Sequence, residues 1–321
     1  MTGWVRAAIE SAHPGEPIES IDRPTEGNRK ETAIVTLAAG ERLVVQRTGD
    51  PAALRTETRL TREIAARTTV PVPTVLEYGR IDGNDSWGDG GAYRVVEAAE
   101  GTNLHERFTA LSPVRRRRIA GRFGRALGQI HETFVFERFG PVAVADWTAG
   151  SDRGELRADG PDSWARWFDA YVGECVDALP EQFADLTRAT EAAAECDPDA
   201  DPTPRLFPWD LRPGNAMIDD GRLTAFLDWG DPLAAGAGLS VAKAEHLLAE
   251  WYVEDGSGLR TAFRDGYTDV RPLPDVSRAE RIAAVVDSAV DSTGTVTRPG
   301  YPERTGADAV AFHRYRLISL I

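Results

Sequence analysis

Three polar side chains stand close together in the segment LFPWDLRPGNAMIDDGRLTAFLDWGDP, residues 206–232. Asp210 and Asn215 have the spacing D-L-x-x-x-N, and Asp228 begins the triplet DWG. Transfer of a phosphoryl group needs a carboxylate to orient the acceptor hydroxyl, and an amide with a second carboxylate to hold magnesium. Hard oxygen ligands of this kind suit magnesium, which takes the rest of its shell from water and phosphates. The spacing therefore indicates magnesium-dependent phosphoryl transfer.

A short hairpin is predicted to bring these three side chains together. Apolar residues at 215–218 and 223–227 indicate two strands, and DDGR between them is typical of a tight turn. The loop before the hairpin would place Asp210 near Asn215, and the second strand would return Asp228 to the same end. Each pattern alone is common in polar loops, so the prediction depends on their combination.

The order of these motifs resembles the catalytic loop and the metal-binding motif of protein kinases. The Trp in DWG replaces the Phe of protein kinases, and this variant is similar to the aminoglycoside phosphotransferase and choline kinase family. The resemblance implies a two-lobed protein-kinase-like fold and the cofactors ATP and Mg²⁺. It also implies that Asp210 is the catalytic aspartate, Asn215 a magnesium ligand and Asp228 the main magnesium ligand.

The resemblance continues through the N-terminal part, so that it spans roughly residues 20–255. PTEGNRKETAIV resembles the loop that covers the ATP phosphates, in which Gly27 and Asn28 would let backbone amides approach. RLVVQR resembles the strand that offers a basic residue to the phosphates, and Glu57 the ion-pair partner of that residue. VVEAAEGTNL resembles the hinge, where backbone groups near Glu97 and Ala99 would receive adenine.

The chain departs from the family pattern in two places. Pro208 stands where the family usually has a His, which gives PWD instead of HGD. The phosphate-anchoring position is Gln46, with Arg47 next to it, and strand alternation puts these neighbours on opposite faces. The hypothesis is that Lys30 or Arg29, from the preceding loop, supplies the missing charge.

The remaining pattern predicts an α+β fold with a small sheet-containing lobe and a larger helical lobe. A nucleotide-binding lobe is expected at residues 1–100 and a catalytic and substrate-binding lobe at residues 101–321. β-Branched and amphipathic stretches predict strands at 33–37, 43–47, 75–78 and 92–97, and helices at 51–68, 114–134, 163–179, 237–252 and 278–290. The glycine-rich stretch between residues 79 and 92 is expected to be a long hairpin loop.

The composition limits the class of partner. The formal net charge is −14, from 51 acidic and 37 basic residues, so nucleic acid would be repelled. Lys30 and Lys243 are the lysines of the chain, and this acid-rich, lysine-poor composition indicates adaptation to a salty cytoplasm. Cys175 and Cys196 form no metal or disulfide pattern, and no apolar stretch has the length of a membrane span. A cytoplasmic location and a small-molecule partner are expected, with the oligomeric state open.

Other features favour structural interpretations. The arginine run at 115–118 is expected to be a solvated helix face, and His131 and the Trp residues at 164, 167 and 251 are expected to pack inside the protein. Without an activation segment ending in APE, a hydroxyl of a small molecule is favoured over a protein acceptor. Aminoglycoside, choline-like, sugar, amino-alcohol and hydroxy-amino-acid acceptors stay open. Because of Pro208 and Gln46, a nucleotide-binding pseudokinase or scaffold is the alternative, and a phosphatase or nuclease a remoter one.

Overall fold

A computed structural model describes most of the chain. The residues it describes are 3–24, 30–81, 91–145, 154–197, 200–208, 210–291, 293–298 and 304–321. The helices are α1 (Gly3–Ala12), α2 (Pro51–Arg67), α3 (Leu104–Arg107), α4 (Pro113–Thr133), α5 (Trp164–Asp177), α6 (Thr187–Ala193), α7 (Ala237–Ala249), α8 (Ser257–Thr268), α9 (Arg278–Asp287) and α10 (Ala307–Ile318).

The strands form several small antiparallel sheets rather than one large sheet. They are β1 (Ile18–Asp22), β2 (Glu31–Leu37), β3 (Arg42–Thr48), β4 (Val75–Arg80), β5 (Ala92–Glu97), β6 (Thr102–Asn103), β7 (Gly140–Val144), β8 (Leu156–Ala158), β9 (Arg205–Phe207), β10 (Ala216–Asp219), β11 (Arg222–Phe226), β12 (Leu233–Ala235), β13 (Thr297–Arg298) and β14 (Arg304–Thr305). The predicted strands and helices are confirmed. The structure adds strands β1, β6 to β9 and β12 to β14, and helices α3, α6, α8 and α10.

The N-terminal sheet has five strands in the order β1-β2-β3-β5-β4. Alternate residues of β2 and β3 are buried, and Val35 and Val45 pack in one cluster with Ile9 of α1. Because neighbours along a strand point to opposite faces, the residues between them face the other side of the sheet. Helix α2 contacts β4 and β5, and the Asp50 side chain caps its first turn by accepting from the Ala52 and Ala53 amides.

The C-terminal part is mainly helical and is built around α7, every residue of which is buried. Helices α4 and α8 cross so closely that no side chain fits between their backbones at the crossing. A Cβ at Gly124 would collide with the carbonyl oxygen of Phe263, and one at Gly266 with that of Gly121. His131 and Trp164 are buried as predicted, as are the tryptophans at 167 and 251. Among the described residues, no helix is both long and apolar enough to cross a membrane.

A second small sheet holds the predicted catalytic hairpin. Strands β10 and β11 are joined by Asp220 and Gly221, whose φ angles of 41° and 75° are those of a tight hairpin turn. Strand β6 pairs with the other edge of β10. Gly101, just before β6, has a φ of 92°, and a Cβ there would collide with the carbonyl oxygen of Ile218. The hairpin is therefore fixed closely against the segment that follows β5.

Candidate active site

The loop between β9 and β10 holds two of the predicted functional residues in contact. The amide nitrogen of Asn215 donates to the backbone carbonyl of Asp210 at 3.0 Å. The backbone amide of Leu227 donates to the carbonyl of Asn215 at 2.8 Å. These bonds tie the loop to the end of β11, so that Asp210, Asn215 and Asp228 lie at one end of the hairpin as predicted.

Asp228 has a backbone conformation that residues other than glycine rarely adopt. Its φ is 58°, in the left-handed region, and 58% of its side chain is exposed. The next residue, Trp229, is buried and donates from Nε1 to the carbonyl of Phe226 at 3.2 Å. Residues held in sparsely populated conformations occur often at functional sites. The buried indole therefore anchors a strained turn whose carboxylate is left open to a ligand.

An arginine holds the carboxylate of Asp210. Nε of Arg212 donates to Oδ2 of Asp210 at 2.6 Å. Burial alone would lower the pKa of Arg212, but Asp210 and, more weakly, Asp228 outweigh burial and raise this pKa. Arg212 therefore stays charged, and it is close enough for both carboxylates to raise its pKa.

The loop that carries Asp210 and Asn215 lies next to a tyrosine and a histidine that contact each other. The Tyr252 hydroxyl lies 2.8 Å from Nδ1 of His105, and Asn103 donates from Nδ2 to the carbonyl of Gly214 at 2.9 Å. Burial raises the pKa of Tyr252, and Arg212 opposes this increase. Tyr252 is therefore neutral, and its hydroxyl has hydrogen-bonding partners in the loop itself, at the Gly214 backbone and the Arg212 side chain.

Two cationic side chains form ion pairs with a buried glutamate opposite the loop that carries Asp210. Glu57 is 1% exposed; its Oε2 accepts from Nζ of Lys30 at 2.6 Å and its Oε1 from Nη2 of Arg94 at 2.7 Å. Burial alone would raise the pKa of Glu57, but Arg94 and Lys30 outweigh burial and lower it. Nζ of Lys30 also lies 3.3 Å from Oδ1 of Asp228. Lys30 therefore links the N-terminal sheet to the magnesium-ligand candidate.

Gln46 positions one of these cations. Gln46 and Arg94 are directly opposite on β3 and β5, and Nε of Arg94 donates to Oε1 of Gln46 at 2.8 Å. Nε2 of Gln46 donates to the Thr32 hydroxyl at 3.4 Å. An amide thus stands where the family places a cation. The cations near Gln46 are instead Lys30, just before β2, and Arg94 in β5.

Arg47 lies on the opposite face of the sheet. Its guanidinium donates to both oxygens of Glu31 at 3.1 Å and lies 4.7 Å from the ring centre of Trp4 in α1. The register of β3 is regular, since Glu31 pairs with Arg47 and Thr32 with Gln46. The structure therefore does not bring Arg47 to the other predicted residues, because alternation turns it away.

The hinge residues follow directly after β5. The amide of Glu97 donates to the carbonyl of Thr74, and the amide of Ala98 to that of Arg42, both at 2.9 Å. Two hinge amides are thus already paired within the sheet, which leaves Ala99 as the candidate amide for adenine. Gly27, Asn28 and Arg29 lie outside the described residues, as does Trp209.

Two residues that sequence reasoning missed are Arg94 and Arg212. Arg94 is 7% exposed and stands inside the strand AYRVVE, where a charge flanked by apolar and aromatic residues was the available signal. Arg212 stands two residues after Asp210, inside the motif itself. The carboxylate that pairs with each arginine could be identified only from the strand register and the loop geometry.

Replacing Arg94 with Gln is expected to destabilise the fold by about 3 kcal/mol. Removing one partner of a buried ion pair leaves an uncompensated charge, and here Lys30 compensates only part of it. Urea unfolding at fixed salt measures the loss, and the double variant Arg94→Gln with Glu57→Gln should recover part of it. If the double variant is as unstable as the sum of the singles, the two side chains are not coupled.

Comparison with known proteins defines the class of fold and then the family. The molecule has the two-lobed protein-kinase-like fold of the aminoglycoside phosphotransferases. The sequence pattern of the phosphotransferase enzyme family matches residues 20–279, and the chain belongs to this family. Comparison with curated proteins found no match.

Solved structures with the same fold are distant in sequence. Aminoglycoside phosphotransferase APH(4)-Ia has a TM-score of 0.67 at 15% identity, covering 99% of this chain and 97% of that one. A thermostable mutant of that enzyme, in ternary complex with AMP-PNP and hygromycin B, has a TM-score of 0.66 at 14% identity, covering 98% and 97%. A putative fructosamine-3-kinase from Haemophilus somnus 129PT has a TM-score of 0.61 at 13% identity, covering 98% and 96%.

Proposed function

We propose that the protein transfers the γ-phosphoryl group of ATP to a hydroxyl of a small molecule, with Mg²⁺ as cofactor. The observation that carries the proposal is the meeting of Asp210, Asn215 and Asp228 at one end of a hairpin, opposite the Lys30–Glu57 ion pair. Membership of the phosphotransferase family supports it. A neighbour of the same fold was solved with an ATP analogue and an aminoglycoside.

Asn215 and Asp228 would hold the metal. The Asn215 amide nitrogen is used by Asp210, which leaves its carbonyl oxygen as the ligand atom, and the carboxylate of Asp228 is exposed. Two hard oxygen ligands suit Mg²⁺, which takes its other ligands from water and phosphates. Bound Mg²⁺ would neutralise charge on the phosphates, and ATP would supply the phosphoryl group. Nζ of Lys30 would then contact a phosphate oxygen instead of Asp228, while Glu57 keeps the Lys30 side chain in place.

Asp210 would orient the acceptor hydroxyl and take its proton. Its Oδ2 is held by Arg212, so Oδ1 is the oxygen that would accept the hydroxyl hydrogen. Arg212 acts in this scheme by fixing the direction of the carboxylate.

The nucleotide would lie between the hinge and the Lys30 side. Adenine would meet the backbone near Glu97 and Ala99, and Gly27 and Asn28 would cover the phosphates. Lys30, Gln46 and Glu57 would line the phosphate end. Arg94, which donates to Gln46 and Glu57, would lie there with them. Residues 1–100 are proposed as the nucleotide-binding lobe and residues 101–321 as the lobe that binds the acceptor. The proposed location is the cytoplasm.

The test is ADP release from ATP and Mg²⁺ in the presence of hydroxylated acceptors, at high salt. The panel should contain aminoglycosides, choline-like amino alcohols, sugars and hydroxy amino acids. Acceptor-dependent ADP release that requires Mg²⁺ would support the proposal. Tight ATP binding with no ADP release for any acceptor would favour the alternative, a nucleotide-binding pseudokinase, which the departures at Pro208 and Gln46 motivate.

Replacing Lys30 with Ala is expected to raise the ATP Michaelis constant about tenfold. A charge-assisted hydrogen bond to phosphate contributes about 1.5–3 kcal/mol, and Lys30 is the cation that reaches both Glu57 and Asp228. Steady-state kinetics at saturating acceptor measures the change. Lys30→Arg, which keeps the charge, is the matched variant and should lie between the two. An unchanged constant in Lys30→Ala would assign phosphate contact to another cation.

A further inference from the structure

A cavity of about 320 Å³ lies among helices α7, α8, α9 and α10. None of its lining residues belongs to the active site described above. The charged residues that line it are four arginines and two glutamates, namely Glu245, Glu250, Arg260, Arg264, Arg281 and Arg316. In a chain of net charge −14, this is an unusual concentration of positive charge.

The two carboxylates are already held by the surrounding arginines. Glu245, 1% exposed, accepts from Nε and Nη2 of Arg264 at 2.5 and 2.9 Å and from Nη1 of Arg281 at 3.3 Å. Glu250 accepts from Nη2 of Arg260 at 2.5 Å and also from Arg316. Four guanidinium groups therefore face two carboxylates, so the cavity lining that the structure describes carries two more positive than negative charges.

A histidine that also lines the cavity does not change the net charge of the lining near neutral pH. Nδ1 of His246 lies 2.6 Å from Oε2 of Glu250, and Nε2 accepts from the Trp251 indole at 3.0 Å. Burial lowers the pKa of His246, and Glu250 only partly opposes this decrease. The imidazole is therefore neutral at neutral pH, and the surplus charge belongs to the arginines.

Most guanidinium donors are not used by the two carboxylates. Each guanidinium carries about five N–H groups. Arg260, Arg281 and Arg316 each use one of these in a hydrogen bond to a carboxylate, and Arg264 uses two. Nε of Arg260 also lies 3.4 Å from Oε2 of Glu245. The side chains of the four arginines are between 28% and 36% exposed, so they are reachable from the cavity. Clamping the helices together would not require this surplus of charge and donors.

We propose that this arginine cavity binds the phosphate group of a small metabolite. Arginine forks match the oxygens of a phosphate dianion in bidentate geometry, and two surplus charges equal the charge of the dianion. A water molecule takes about 30 Å³ in the liquid, so the cavity has room for phosphate and several further atoms. The site is separate from the ATP site and does not depend on the proposed function.

The test is calorimetric titration of inorganic phosphate into the full chain, without nucleotide or Mg²⁺ and at constant ionic strength set with KCl. Arg281→Gln is the main variant, because Arg281 contributes one bond at 3.3 Å and Glu245 keeps Arg264. Arg278→Gln is the matched control, since it removes the same charge from the same helix outside the cavity.

Native chain and Arg278→Gln are expected to bind phosphate equally, and Arg281→Gln about fivefold more weakly. Arg316→Gln should show a similar loss, which covers the case that Arg281→Gln is unstable. Any phosphate that binds at the ATP site would be unaffected by these variants. Equal affinity in Arg281→Gln, Arg316→Gln and Arg278→Gln would overturn the proposal, as would the absence of binding at tens of millimolar phosphate.

Discussion

The Asp228→Asn variant is expected to fold normally but to lose the stabilisation that ATP with Mg²⁺ gives to the native chain. A ligand at about a hundred times its dissociation constant stabilises the folded state by roughly 2.7 kcal/mol. Removing the carboxylate charge removes the main proposed metal ligand, while asparagine tolerates the left-handed backbone at this position. A thermal-shift titration with ATP, with and without Mg²⁺, measures the effect.

The chain offers a matched control in Asp220→Asn. Asp220 also has a positive φ, of 41°, but it lies in the turn at the far end of the same hairpin. The same substitution there should leave the Mg²⁺-dependent shift intact. Equal shifts in the native chain and in Asp228→Asn would show that the metal is held elsewhere.

The Asp210→Asn variant is expected to lower kcat by about 10²–10⁴-fold while ATP binding is retained. General-base catalysis contributes an effect of this size, and an amide cannot take the hydroxyl proton. The amide oxygen can still accept from Arg212, and the backbone carbonyl from Asn215, so the loop should keep its shape. ADP release at saturating acceptor measures kcat, and the thermal shift with ATP and Mg²⁺ measures binding.

The two readouts of Asp210→Asn separate its role from a structural one. A loss of kcat together with a loss of ATP binding would mean that the loop is disturbed. A kcat within about threefold of the native value would mean that another group takes the proton, because a missing general base costs more than this.

Most of the fold could be predicted because its signals are local. Alternating burial in β2 and β3, and the apolar stripe of α2 with Leu54, Leu60 and Ile64, are visible within short stretches. The tight turn at Asp220 and Gly221 is equally local. Strand β1 gives no such signal, since IESID is a largely exposed edge strand. Its place depends on pairing with β2, which the pattern within β1 does not encode.

The candidate site divides in the same way. Asp210, Asn215 and Asp228 were found because loop and hairpin keep them close in sequence as well as in space. Arg94 was missed because its contact with Gln46 depends on the pairing of β3 with β5, across 48 residues. The hypothesis that Lys30 replaces the missing charge is compatible with its place between Glu57 and Asp228, and phosphate contact itself stays a prediction.

The scarcity of lysine has a practical consequence for chemical labelling. Lys243 is 3% exposed and paired with Asp287, whereas the side chain of Lys30 is 21% exposed beside the proposed phosphate site. An amine-directed acylating reagent therefore has one accessible lysine side chain among the described residues, and that side chain would report on the proposed nucleotide site. Peptide mass spectrometry of the labelled chain would then read nucleotide occupancy directly, through protection of a single ammonium group.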